Sequence, residues 1–263
     1  MPSFGPFDVT VLLDGIFEAP AERLLHQAGE AARKAAIAAL PQIRIPVHCF
    51  LLRGPAGTVL VDAGTGPSWG AHLGHAWAAL EGLGVAPADV THVVLTHIHG
   101  DHALGALDGE AAYFPKAQVI APQADLDFFS DEQAKLALPE PRRGGFTITA
   151  SLRRAYGDRF RGAPPGEVLP GLEYIPLPGH TPGHSGVLVG GALLLWGDLA
   201  HLPALQVPDP DLGVQFDLDP AMAARTRHAL LPRAAAAGWT IHGGHTADFC
   251  RVEKAGEGYR LSA

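Results

Sequence analysis

With 263 residues, of which 47% are hydrophobic and only 17% charged, the chain can bury a substantial core, which excludes a disordered protein. A formal charge of −8 repels phosphate backbones and argues against a nucleic-acid partner. No apolar run reaches the length of a membrane helix and the first six residues lack a basic stretch leading into an apolar one, so neither an anchor nor a secretory signal is expected, and the expected location is cytoplasmic.

Along the chain, Phe7 to Leu13 reads as a strand with Asp14-Gly15 as its turn. Ala21 to Leu40, rich in Ala, Leu, Glu, Arg and Lys, predicts a helix weakened at Gly29. Pro41 and Pro46 bracket a connector, after which Val47 to Leu52 and Thr58 to Val61 predict paired strands around Gly54-Pro55-Ala56-Gly57. His72 to Leu83 predicts a helix stopped by Gly84, and the apolar run Val93-Val94-Leu95 a buried strand. The two cysteines, Cys49 and Cys250, lie far apart in sequence and are expected to be free, with Cys49 in the core.

Thr96-His97-Ile98-His99-Gly100-Asp101-His102 begins where that buried strand stops. Alternate residues of an extended chain project to one side, so His97 and His99 can share one ion while Asp101 and His102, on the following turn, reach a second. Four imidazole and carboxylate ligands this close exceed what one tetrahedral ion takes from a single loop. The segment therefore reads as a metal site.

Between Pro122 and Pro165 the pattern loosens. Ala124 to Phe129 and Asp131 to Leu138 read as helical fragments, and Pro139 to Gly145 as a break. The segment is expected to cap the metal edge, with Arg153, Arg154, Arg159 and Arg161 forming a solvated basic face. Leu172 to Leu177, Val187 to Val189 and Leu193 to Trp196 suit a second sheet. His180, Asp198 and His245 each lie where an apolar run gives way to a glycine-containing loop. Pro220 to Ala237 predicts a helix with proline in its first turn, Gly238 as its stop, and a kink or break at Pro232. Trp69, Phe114, Phe128, Phe129 and Trp196 are candidates for an apolar pocket, although core packing is the expected fate of each. One domain over residues 1–263 is the reading.

These motifs, in this order, resemble those of the metallo-β-lactamase superfamily: a strand ending in Asp-x-Gly (Asp62-Ala63-Gly64), then His-x-His-x-Asp-His (His97, His99, Asp101, His102), then separate His180, Asp198 and His245. The stretch from Trp196 to Phe216, with Val11 to Gly15, is similar more particularly to the methyl parathion hydrolase branch, a neighbour of the quorum-quenching lactonases. The resemblance implies an α/β (α+β) fold, a four-layer αββα sandwich with a dinuclear zinc site at one edge. It assigns His97, His99 and His180 to one zinc, Asp101, His102 and His245 to the other, and Asp198 to a bridge. Manganese, iron or cobalt would suit the same ligands. The reaction implied is attack by a hydroxide shared between the ions on a small neutral lactone, aryl ester or organophosphate triester.

Within that scheme Asp101 orients the nucleophile, Asp62 either accepts a hydrogen bond from a ligating imidazole or is a turn residue before Gly64, and His184 supports a ligand or packs. His201 is the candidate donor to the leaving group or oxyanion. The branch further implies a homodimer. Competing readings are a glyoxalase II-like thioesterase, with the arginine cluster taking an anionic tail, and a β-lactamase, which would normally be exported. A zinc-stabilised binding protein is the reading without catalysis, but structural zinc sites are closed and rich in cysteine, and this ligand set has none.

Overall fold

In the computed structural model, residues 1–38, 40 and 42–263 are described. Fourteen strands form two seven-stranded sheets. The first runs in spatial order Ser3–Phe4, Phe7–Pro20, Gln42–Gly54, Gly57–Val61, His92–Val94, Gln118–Pro122 and Phe160–Ala163. The second runs Gly166–Leu169, Leu172–Pro176, Ser185–Val189, Leu193–Leu195, Thr240–His242, Cys250–Ala255 and Gly258–Ser262.

The period of two along each strand explains the layering. In Gln42–Gly54, Phe50 and Leu52 pack between the sheets against Leu172, Tyr174, Val187 and Leu195. Cys49 and Leu51 face the other way, into a cluster with Leu80, Phe146, Leu152 and Tyr156 from the helices Ala76–Gly82 and Gly144–Tyr156. On the far side, Ile175, Leu194 and Ile241 pack under Leu230, Leu231 and Ala234 of the helix Pro220–Ala237. Strands covered on both faces read as unbroken apolar runs, which is why Val47 to Leu52 was legible as a strand. The result is helix, sheet, sheet, helix. Both cysteines are buried and free. Among the described residues no helix is long and apolar enough to cross a membrane.

The parallel pairs position the site. Gly57–Val61, His92–Val94 and Gln118–Pro122 are mutually parallel, and in the second sheet Leu193–Leu195 is parallel to Thr240–His242. Parallel strands send their C-terminal ends to the same edge, and Asp62, the His97 to His102 stretch, Asp198 and His245 all follow such ends. Across the sheets, the Tyr174 hydroxyl lies 2.8 Å from the Leu95 carbonyl and 3.0 Å from that of Ile120, fixing the two edges together.

Several elements differ from the sequence expectations. Asp14-Gly15 is no turn: the strand continues to Pro20, with a bulge between Leu13 and Gly15. The Asp14 carboxylate inside the bulge accepts the Thr65, Gly74 and Ala76 amides at 3.0–3.1 Å. Gly15, at φ +150°, has no room for a Cβ, which would sit 2.1 Å from the His72 carbonyl oxygen. Helix propensity over Ala21 to Leu40 is overridden by tertiary pairing. Leu24–His26 is a strand beside Leu212–Val214, and the helix is reduced to Glu30–Ile37. Residue 39 of that expected helix and Pro41 of the expected connector lie outside the described residues, while Pro46 sits within the strand Gln42–Gly54.

The helix expected from His72 starts at Ala76, and the Pro139 to Gly145 break is shorter than expected because a helix already begins at Gly144. Pro220–Ala237 runs through Pro232 uninterrupted and ends at Gly238 in the left-handed region.

Candidate metal centre

Asp198 is the hub. Its Oδ1 lies 3.0 Å from His102 Nε2, and its Oδ2 lies 3.1 Å from His245 Nε2, 3.2 Å from His180 Nε2 and 3.2 Å from His201 Nε2. His97 Nε2 is 3.8 Å away. Asp101 Oδ2 faces His102 and His245 at 3.6 and 3.7 Å. His99 Nδ1 is 2.8 Å from His180 Nε2. The donor atoms fall into three sets, each within 4.8 Å: His97, His99 and His180; Asp101, His102, Asp198 and His245; and His180, Asp198 and His201. The chain thus brings together all eight residues singled out from the sequence.

Each inward nitrogen is defined by what its ring does on the other side. His102 Nδ1 pairs with Asp62 Oδ2 at 2.8 Å, His180 Nδ1 with Asp217 Oδ1 at 2.9 Å, and His245 Nδ1 with the Pro46 carbonyl at 2.7 Å. A ring that donates through Nδ1 turns the Nε2 lone pair toward the hub. His184 differs: its Nδ1 donates to the Leu177 carbonyl at 2.7 Å and its Nε2 accepts the Asp198 amide at 2.9 Å. Its Nε2 is committed to a backbone amide, whereas His180 Nε2 faces the Asp198 carboxylate and His99, so His184 supports the Asp198 backbone. Gly197, at φ +55°, leaves room for this contact; a Cβ there would lie 2.5 Å from His184 Nε2.

Asp62 itself is the single described non-glycine residue with positive φ, at 59°. The Thr96 amide donates to it at 2.8 Å and the Thr96 hydroxyl at 2.9 Å. A backbone held in a sparsely populated region beside such a cluster is of the kind found at functional sites.

Among the described residues, three buried atoms of this cluster, His97 Nε2, His102 Nε2 and Asp198 Oδ1, lie close to one another's residues yet make no hydrogen bond of acceptable geometry. An unmatched buried polar atom costs about 1–3 kcal/mol, so three meeting at one point call for a shared partner. Five imidazoles and two carboxylates without thiolate match a divalent cation, and the residues fit one. The titration pattern agrees. Burial pushes His99 down to about 3 and His97 and His180 well below the usual histidine range, leaving neutral rings able to ligate. Burial also acts to lower His102 and His245, but the Asp198 and Asp101 carboxylates outweigh it and raise both, so this half of the centre favours positive charge. Burial opposes ionisation of Asp198 as well; the surrounding imidazoles, His102 first, reverse that and hold its carboxyl well below its ordinary range.

Beside the hub opens a cavity of about 1060 Å³, lined by His99, Asp101, Asp198, His201 and His245 and by the apolar Phe17, Ile45, Trp69 and Phe216. Of the five aromatic candidates, for which core packing is the expectation, Trp69 departs from it and lines the cavity. Phe114, Phe129 and Trp196 are buried in the core, and Phe128 packs half-buried against it. Phe17 and Phe216, with ring centroids 6.0 Å apart, also line the cavity; Phe17 lies beyond Leu13, on the part of the strand that the sequence pattern does not mark, and Phe216 in a loop without periodicity. Asp217 and Asp125 were missed for another reason: a lone aspartate in a loop or short helix gives no signal until folding brings its partner near. None of Arg153, Arg154, Arg159 and Arg161 lines the cavity. Arg153 donates to the Ser130 hydroxyl, Arg154 faces Glu110, and Arg159 donates to the Pro115 and Ala117 carbonyls.

The sequence pattern of the metallo-beta-lactamase superfamily matches residues 43–252. N-acyl homoserine lactonase AttM of Azorhizobium caulinodans is 29% identical over 196 residues, 60% of this chain and 66% of its own length. The chain spans just under two thirds of the curated relatives it matches. The fold is shared with the crystal structure of hydrolase AbOPH of the beta lactamase superfamily, at TM-score 0.87 and 24% identity, covering 99% of this chain and 95% of that one. It is shared too with AidC, a dizinc quorum-quenching lactonase, at TM-score 0.85 and 21% identity over the same shares.

Proposed function

The chain belongs to the metallo-beta-lactamase superfamily, and from that membership we propose that it is a hydrolase holding two divalent metal ions, zinc foremost, that opens lactones and cleaves related neutral esters. The carrying observation is the convergence of seven ligand-type side chains, Asp198 at their centre, with three buried atoms left unmatched. His97, His99 and His180 are assigned to one ion, Asp101, His102 and His245 to the second, and Asp198 to both. Such ions, when bound, polarise the scissile carbonyl or phosphoryl group and make water nucleophilic near neutral pH. Lactones lead because AttM and AidC are lactonases; aryl esters and organophosphate triesters share the neutral, electrophilic centre.

The chain's own residues supply the rest. Asp62 and Asp217 hold His102 and His180 in the tautomer that ligates through Nε2. Asp101, the more accessible carboxylate, orients the attacking water. His201 stands on the cavity wall within 3.2 Å of Asp198 and is placed to donate to the departing or developing oxyanion. Phe17, Trp69 and Phe216 exclude water from the apolar substituent. Segment 122–165 caps this edge: Pro139, Gly145 and Ile148 all reach the cavity. Two free buried cysteines accord with a reducing cytoplasm.

A panel of lactones, aryl esters, phosphotriesters, thioesters and a cephalosporin, run beside elemental analysis, tests the reading. Lactone turnover with metal present is expected, whereas a strong thioester preference would move the chain to the glyoxalase-like group. His201→Ala should lower kcat about 10²-fold, within the range for loss of a positioned proton donor, with metal content retained. Unchanged kinetics across the esters would reject the assignment.

A further inference from the structure

Two adjacent arginines near the cavity do different things. Arg143 folds back on its own segment, its Nε donating to the Leu138 carbonyl at 2.9 Å. Arg142 reaches outward: its Nη2 donates to the Gln215 carbonyl and, at 3.1 Å, to that of Asp217. Among the described residues these are the hydrogen bonds that join the turn 139–143 to chain outside segment 122–165. The helix that follows is anchored independently. Phe146 and Leu152 are in the core, and the Tyr156 hydroxyl at its far end donates to the Ala106 carbonyl at 2.6 Å.

The receiving loop is equally specific. Leu218 and Asp219 donate their amides to the His180 and Gly179 carbonyls at 3.0 and 2.9 Å, and Asp217 pairs with His180 Nδ1. Phe216 and Leu218 from the same loop, and Pro139 and Pro141 from the turn, all line the cavity. A single guanidinium therefore joins two segments of the cavity wall and ends on the loop that orients a metal-site histidine.

We propose that Arg142 is a specificity-determining latch: by clamping the turn 139–143 to the loop 215–219, it fixes the width of the cavity and so the size of the apolar substituent accepted. This rests on the hydrolase reading for its kinetic consequence but not for its structural one. A planar guanidinium with several donors can serve two carbonyls at once, whereas a lysine ammonium at the same place serves them as a compact point charge on a flexible stem.

The test uses full-length Arg142→Ala, Arg142→Lys and, as control, Arg143→Ala, which removes the same charge one residue away and touches no cavity wall. Hydrogen–deuterium exchange is read over 139–148 and 215–219. Losing charge-assisted bonds to two carbonyls should speed exchange in both segments about tenfold in Arg142→Ala, with Arg142→Lys intermediate and Arg143→Ala unchanged over 215–219. Kinetically, Arg142→Ala should raise KM for esters with bulky apolar groups about tenfold over any change in KM for small esters, shifting the bulky-to-small preference accordingly. Unchanged exchange over 215–219 in Arg142→Ala, or an equal change in Arg143→Ala, would overturn the latch; Arg142→Lys carries the test should the alanine variant misfold. Exchange does not depend on turnover, so a wild type that hydrolyses none of the panel overturns the hydrolase reading while exchange still decides the latch.

Discussion

Asp125 shows how much one side chain outside the ligand set can do. Its Oδ2 accepts the Ile98 amide at 2.9 Å and its Oδ1 the Gly183 amide at 2.7 Å, so one carboxylate clamps the His97-Ile98-His99 loop to the loop that carries His180. Burial nevertheless pushes its pKa up to about 6. The folded state then binds this proton more tightly than the unfolded chain, whose carboxyl titrates near 3.9. The associated stability is full below about pH 4 and is lost as pH rises through about 6, a swing of up to about 3 kcal/mol. Asp125→Asn lacks this titration. It should start less stable, because its amide offers one acceptor for two N–H groups, and should gain on the wild type by up to about 3 kcal/mol between pH 4 and pH 7. Urea unfolding across that range measures it; a pH-independent difference between the two proteins would refute the account.

At the scale of elements, the metal edge is made by strands that stop together and loops that leave in left-handed or irregular conformations. The turn after Leu193–Leu195 is the clearest case, since Gly197 brings the Asp198 amide onto His184. Gly197→Ala would force a side chain into the left-handed region and push a Cβ into the His184 ring. A loss of about 2 kcal/mol or more in chemical unfolding is expected, with reduced metal content, since strain and displaced packing add. Retention of both stability and metal would show that the strand end can be rebuilt.

Over the whole molecule, the two sheets and their helices enclose apolar cores of their own, and the cluster at their common edge gathers ligand-type side chains that follow strands of both sheets. Metal binding there should act as a clasp. A site saturated to about 100 times its dissociation constant adds about 2.7 kcal/mol, and for a domain of this size each kcal/mol moves Tm by about 2–4 °C. Dialysis against a chelator should therefore lower Tm by about 5 °C or more, restored by zinc. A chelated protein melting at the untreated temperature would argue against a resident cation.

Composition and short-range pattern were enough to mark the buried strands, the long helix from Pro220 and the His97 to His102 cluster, and the resemblance in motif order added His180, Asp198 and His245. Apolar runs and His-x-His-x-Asp-His spacing are local properties, visible without a partner. What sequence could not decide was set by contacts between distant segments. Asp14-Gly15 became a bulge because its carboxylate met the amides of Thr65, Gly74 and Ala76. Leu24 left a helical stretch to pair across Leu212–Val214. The resemblance selects His180 over His184, and the hydrogen bonds each ring makes give the physical reason, which the motif by itself does not hold. Arg142, Asp125 and Asp217 gained their places the same way: a single polar residue has no periodicity to read, and its role exists only once the fold has brought its acceptor or donor within 3 Å or so.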